Sequence, residues 1–127
     1  MKDFRTPLKK VEGLGSAHAG SGHWWHQRLT AIVNLLLIVW FAVSVVTLAG
    51  ADYRTLVWWV KDPVVTVLLT LLIASVFYHL KLGLQVVIED YVHDEAWKMT
   101  SLLLVSFLSA FFALLGIVMV LKISFGG

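Results

Sequence analysis

No cysteine occurs in these 127 residues, which excludes disulfides, thiolate ligation of an iron–sulfur cluster and c-type haem attachment within this chain. Charge is also scarce. Only 14% of the side chains are charged, against about a quarter in an ordinary soluble domain. The net charge of +2 comes from basic residues scattered among apolar runs, not gathered in a patch, so nucleic acid is not an expected partner. No internal repeat divides the chain, and two of its three long apolar runs carry no charge at all; both absences weigh against a transporter. What remains is hydrophobic, with a mean hydropathy of +0.84, and such a chain belongs in a bilayer. Its length suits about three spanning helices of roughly 20 residues each. The fold class this implies is all-α, an integral membrane protein with three transmembrane helices.

Residues 1–28 are polar and basic (Lys2, Arg5, Lys9, Lys10, Arg28), with a Gly/Ser/Ala-rich middle that reads as a flexible connector unable to fold alone. No short apolar core follows the basic start, so a cleavable signal peptide is not expected. Gly13-Leu14-Gly15 and Gly20-Ser21-Gly22 resemble fragments of a phosphate loop but lack the preceding strand that such a loop requires. The membrane anchor occupies residues 29–127, with spans over about 29–50, 63–88 and 99–121. Trp24 and Trp25 before the first span, and Trp58 and Trp59 in a charged connection before Pro63, read as interfacial belts. Pro63 falls at a first helical turn, where its missing N–H costs little. Ser101, Ser106, Ser109, Ala110 and Gly116 are small residues suited to seating the third helix against a neighbour.

Three spans put the N-terminus and the second loop on one side, with Lys2, Arg5, Lys9, Lys10, Arg28 and Lys98; Arg54, Lys61 and Lys122 fall on the other. The positive-inside rule then makes the N-terminus cytoplasmic and the C-terminus periplasmic.

The second span holds a histidine, His79, and an ionisable or metal-binding side chain inside a span is a functional-site hypothesis by default. His79 lies about nine residues, roughly 14 Å, from the cytoplasmic end of its helix. Ser75 and Gly83, one turn away on either side, fall within about 40° of its direction, and both leave clearance for a flat macrocycle bound edge-on to the imidazole. Asp90 returns to about 20° from His79 if the helix persists that far, and Tyr91 follows at about 120°. One face thus presents a possible ligand within the membrane and an acid at its rim. Read from the residues alone, His79 either ligates a metal or haem or hydrogen-bonds across a helix interface. Taken alone, Asp90 and Tyr91 read as a solvated helix end and a belt residue, and Arg28 as a positive-inside anchor. Lys81, some 200° from His79, either snorkels or meets an acidic partner from another chain.

The run His79-Leu-Lys-Leu-Gly-Leu-Gln-Val-Val-Ile-Glu-Asp90-Tyr91, with Arg28-Leu-Thr-Ala-Ile32 opening the first span, resembles the hydrophobic membrane-anchor subunit of bacterial succinate dehydrogenase, respiratory complex II, most closely the alphaproteobacterial version. The resemblance covers essentially the whole chain. It implies that His79 is one axial ligand of a b-type haem, that Tyr91 donates a hydrogen bond to a ubiquinone carbonyl, that Asp90 lies beside that site and that Arg28 lies near the haem propionates. His23, Trp24, Trp25 and His26 take no role from it. A bis-imidazole haem needs a second histidine at similar depth, and His18, His23, His26 and His93 all lie outside the expected spans, so the second ligand should come from another membrane subunit.

The partners implied are a flavoprotein subunit and an iron–sulfur subunit, which carry the FAD and the clusters, a second cytochrome b-type anchor chain, ubiquinone and membrane lipid. The location implied is the bacterial inner membrane, with the soluble subunits on its cytoplasmic side. No catalytic residue for succinate oxidation is expected here, so the chain is an enzyme only as a subunit of the complex. Two other readings remain at this stage. One is the anchor of a quinol:fumarate reductase; the other is a structural membrane protein whose histidine only braces helices.

Overall fold

A computed structural model describes residues 16–126. Among these residues there are four helices and no strand: α1 (Ser16–Thr47), α2 (Tyr53–Lys61), α3 (Pro63–Tyr91) and α4 (Glu95–Phe125). Three carry stretches long and apolar enough to cross a membrane, at Trp24–Thr47, Pro63–Tyr91 and Glu95–Phe125. These match the three expected spans, each extended at one or both ends. Residues 1–15, with Lys2, Arg5, Lys9, Lys10 and Gly13-Leu14-Gly15, lie outside the described residues, as does Gly127.

Two boundaries differ from expectation. Residues 16–28 are the first turns of α1 and not a connector, so Trp24, Trp25 and Arg28 ride on the same helix as the first span. Once a span has nucleated a helix, each further residue adds one hydrogen bond, and the Gly/Ser/Ala-rich stretch contains no proline to stop it. The connection at 51–62 contains a helix as well. Asp52 caps α2, its Oδ1 accepting from Thr55 N at 2.9 Å. Hydrogen bonds from the Thr55 hydroxyl and amide hold this exposed carboxylate below its usual range.

Polar caps explain where α2, α3 and α4 begin. The chain leaves α1 through Gly50, whose φ of 81° is the left-handed conformation that glycine adopts without steric cost. Asp62 both ends α2 and starts α3: its N–H donates to Trp59 O at 3.3 Å and its Oδ1 accepts from Val64 N at 2.8 Å, with Pro63 at the first helical position. Asp94 caps α4 by accepting from Ala96 N at 3.1 Å. The helix dipole is complemented by Glu95 in the first turn of α4 and Lys122 in the last.

The central helix is α3, packed on α1 along one side and more extensively on α4 along the other. Small residues set the α3–α4 approach. A Cβ added to Gly116 would sit 3.2 Å from Ile73 Cγ2, and Ser109 is buried in the same contact region. At the end where α2 folds back, Thr66 Oγ1 lies 2.7 Å from Val60 O, 3.0 Å from Asp62 O and 2.7 Å from Ser124 Oγ, and Trp59 stacks on Trp40 at 5.9 Å. The buried apolar core is small, Leu37, Leu69, Leu72 and Leu82. Most other large apolar side chains point outward, as in a helix bundle whose solvent is lipid and partner chains.

Candidate functional site

α1 and α3 each contribute one stripe to a cavity of about 460 Å³. From α1 come Trp24, Gln27, Arg28 and Ala31; from α3 come His79, Leu82, Gly83 and Val86. Both sets follow the i, i+3, i+4, i+7 pattern of a single helix face. His79 and Arg28, far apart in sequence, thus line the same space, and both are exposed in this chain. The Arg28 guanidinium carbon sits 4.8 Å from the centroid of the Trp24 ring. That cation–π contact holds the cation at the wall of the cavity while leaving its N–H fork free for an anion.

Gly83 is part of this wall, and a Cβ added there would meet nothing within 4 Å. The space beside the imidazole is therefore open on that side, as a flat macrocycle requires. Ser75 is placed differently from the expectation. It faces α1, where its carbonyl accepts from Asn34 Nδ2 at 3.3 Å, and it lines a separate apolar cavity with Leu29, Thr30, Val33, Leu71, Ala74 and Tyr78. Of the two small neighbours of His79, Gly83 borders the histidine's cavity and Ser75 does not.

Helix α3 persists through Tyr91, so the condition for Asp90 to share the direction of His79 is met. Asp90 and Tyr91 stand at the end of the helix, outside the His79 cavity, and Tyr91 is 77% exposed. A binding site built on Tyr91 needs a second wall from another chain. His26 also differs from expectation: it falls inside the apolar window of α1, its ring centroid 6.4 Å from that of Tyr78. It is nevertheless absent from the His79 cavity, and among the described residues no group of three or more His, Cys, Asp or Glu side chains converges as a metal site. Lys81 is half-buried on the opposite side of α3, beside a cavity of about 240 Å³ between α3 and α4 that includes Ser106, Ser109 and Ala110.

The donor set fits a haem as half of a site: one imidazole, one guanidinium and a glycine wall that excludes nothing. Gln27 and Trp24 join it because α1 begins before Leu29. Their signal was the spacing to Arg28 and Ala31, readable only if residues 24–28 are taken as helical.

Comparison with known proteins agrees with this architecture. The succinate dehydrogenase/fumarate reductase transmembrane subunit family matches residues 2–120. A succinate dehydrogenase hydrophobic membrane anchor subunit from Rickettsia bellii (strain RML369-C) is 35% identical over 107 residues, 84% of this chain and 86% of that one. The subunit of the same description from Paracoccus denitrificans is 29% identical over 95 residues, 75% and 74% of the two chains. A succinate dehydrogenase membrane anchor subunit from Reclinomonas americana is 32% identical over 98 residues, 68% of this chain and 75% of that one. No solved structure matches. A multi-pass membrane protein with three apolar helices and this match over nearly its whole length, the chain belongs to the succinate dehydrogenase/fumarate reductase transmembrane subunit family, among its succinate dehydrogenase membrane anchors.

Proposed function

We propose that this chain anchors the flavoprotein and iron–sulfur subunits of a succinate:ubiquinone oxidoreductase to the bacterial inner membrane, with its N-terminus cytoplasmic, and supplies half of a b-type haem site and part of a ubiquinone-reduction site. The observation that carries this reading is the shared cavity of His79 and Arg28. An imidazole and a guanidinium facing one space are the two groups that a haem needs from a protein, one for the iron and one for a propionate.

In this reading His79 would hold the haem iron through a neutral imidazole nitrogen, and a second anchor chain would complete the site. Arg28, held against Trp24, binds a propionate through its planar fork, and its charge persists in a low-dielectric site where a lysine's would not. When bound, the haem would supply a one-electron acceptor. Tyr91, at the end of α3, donates its phenolic O–H to a ubiquinone carbonyl and so polarises the ring for reduction. Asp90, beside it and within reach of water, relays protons from the cytoplasm. Succinate oxidation itself belongs to the flavoprotein.

The succinate direction is favoured over fumarate reduction by the names of the relatives, which are all succinate dehydrogenase anchors. A purely structural role is disfavoured because His79 is exposed in the open cavity between α1 and α3 and makes no hydrogen bond across it among the described residues. The test is a reduced-minus-oxidised optical spectrum of the purified complex. The wild-type complex should show a b-type haem, and His79→Ala should abolish it with flavin content unchanged; an unaltered spectrum in the variant removes His79 as a ligand.

A further inference from the structure

Asn34 is buried within the contact between α1 and α3, with 7% of its surface exposed. Its Nδ2 donates to Ser75 O at 3.3 Å, the one side-chain hydrogen bond joining these two helices among the described residues. Ser75 O is also the acceptor for the backbone N–H four residues on, and that residue is His79. The amide therefore bonds to the carbonyl that starts the turn bearing the histidine.

The arrangement is costly where it stands. Asn34 Oδ1 and Ser75 Oγ are both buried without a hydrogen-bond partner, whereas buried polar atoms in proteins are nearly always satisfied. A leucine would fill an apolar helix contact without this penalty. The α1–α3 pair is also the pair that forms the His79–Arg28 cavity. Asn34 lies six residues beyond Arg28 on α1, and Ser75 lies four residues before His79 on α3. Because the two helices run in opposite directions, both steps lead the same way along the bundle, by roughly 9 Å and 6 Å. The hydrogen bond thus fixes the axial level of Arg28 against that of His79. Without it no side-chain hydrogen bond joins the two helices among the described residues, and the contacts that remain, the edge of Tyr78 on His26 and apolar surface, specify the register of two helices in lipid weakly.

We infer that Asn34 is a positioning residue: by clamping Ser75 O it sets the orientation of His79 and its level relative to Arg28, and so tunes the haem held between them. The inference rests on His79 being a haem ligand. Groups that orient a metal ligand typically contribute ten- to a hundredfold to metal affinity, so Asn34→Leu should raise the haem dissociation constant roughly tenfold, read by haem transfer from the intact complex to an acceptor apoprotein. The low-spin ferric electron paramagnetic resonance signal of the remaining haem should shift or broaden, with the flavin content of the complex unchanged. Asn34→Gln keeps a carboxamide donor and should recover much of the wild-type signal, and Asn34→Ala should behave as Asn34→Leu.

A wild-type complex without b-type haem would remove the reading on which the inference rests, and the inference with it. A wild-type complex with haem, and donor-less variants whose resonance signal and haem affinity equal its own, would overturn the positioning role alone. If Asn34→Leu and Asn34→Ala both fail to assemble while Asn34→Gln assembles, Asn34 is a packing requirement of the bundle and the positioning role is likewise overturned.

Discussion

The two ends of α3 are built on opposite plans. Near Pro63 the capping carboxylate and the buried hydroxyl are engaged within the chain: Asp62 caps α3, Thr66 is hydrogen-bonded to the end of α2 and to Ser124, and α2 is pinned by the stacking of Trp59 on Trp40. Near Tyr91 the polar and ionisable side chains stand open. His79, Arg28, Asp90 and Tyr91 are all exposed, and a cavity of about 460 Å³ separates the two helices that face it. Exposed polar groups at a membrane-protein surface are costly unless another chain or ligand satisfies them. Both ends border a cavity, of about 430 Å³ beside Pro63 and about 460 Å³ beside His79. Only the Pro63 end is tied across by hydrogen bonds between elements, and only the His79 end presents an imidazole and a guanidinium to its cavity.

That contrast can be broken by experiment, because it separates chemistry from stability. On the proposed reading, the largest effect after that of His79→Ala is expected at Tyr91. Tyr91→Phe removes one hydroxyl from an exposed ring, and ubiquinone reduction should fall roughly tenfold or more, while succinate oxidation measured with artificial dyes and the melting temperature of the complex stay near wild type. Equal loss of both activities would place Tyr91 in assembly instead.

Towards the Pro63 end the signature should reverse. Gly116→Val drives a side chain into Ile73, whose Cγ2 is 3.2 Å from the position of an added Cβ, and overpacking of this kind costs about 1–3 kcal/mol. The thermal stability of the complex should drop with the haem spectrum unchanged; a changed spectrum would mean that the two ends are coupled through α3. Thr66→Val keeps the shape but strands the Val60 carbonyl and the Ser124 hydroxyl, at about 1–2 kcal/mol, again visible in unfolding and not in quinone kinetics.

The smallest effect is expected at Asp52. Its carboxyl is held below the ordinary value of 3.8 by the Thr55 hydroxyl and amide. A depressed folded-state pKa gives stability that is fully present above the unfolded-state value and is lost as pH falls through the folded-state value. Acid titration should therefore loosen the start of α2 only below about 3.8. Asp52→Asn, which caps without titrating, should remove that dependence, and a loosening that persists in the asparagine variant would assign it to another group.

Several features of the site were readable from residue spacing. His79, Gly83 and Asp90 share a helix face by periodicity alone, and α3 proved continuous through Tyr91. Ser75 was harder to place, because it and Gly83 flank His79 on opposite sides, about 80° apart. That difference turns Ser75 into the α1 contact and Gly83 into the cavity wall, and only the position of α1 decides which. The short α2 was hidden within a charged connection, since nine residues with paired tryptophans show no span-like run. Residues 16–28 read as a linker by composition, yet they continue the helix that brings Trp24, Gln27 and Arg28 to the site. Asn34 carried no warning beyond being a polar residue in an apolar run.

From the sequence alone came the bilayer as solvent, the three spans and, through its motif, the family. Hydropathy is a property of each residue in turn, and a 20-residue apolar run declares itself without reference to any neighbour. Which face of α3 meets α1 and which meets α4 was decided only in three dimensions. Lipid is as apolar as leucine, so no hydrophobic gradient tells a spanning helix how to rotate. The close approach at Gly116 marks the face of α3 that meets α4, and the Asn34 bond to Ser75 the face that meets α1, the helix that shares the Arg28–His79 cavity.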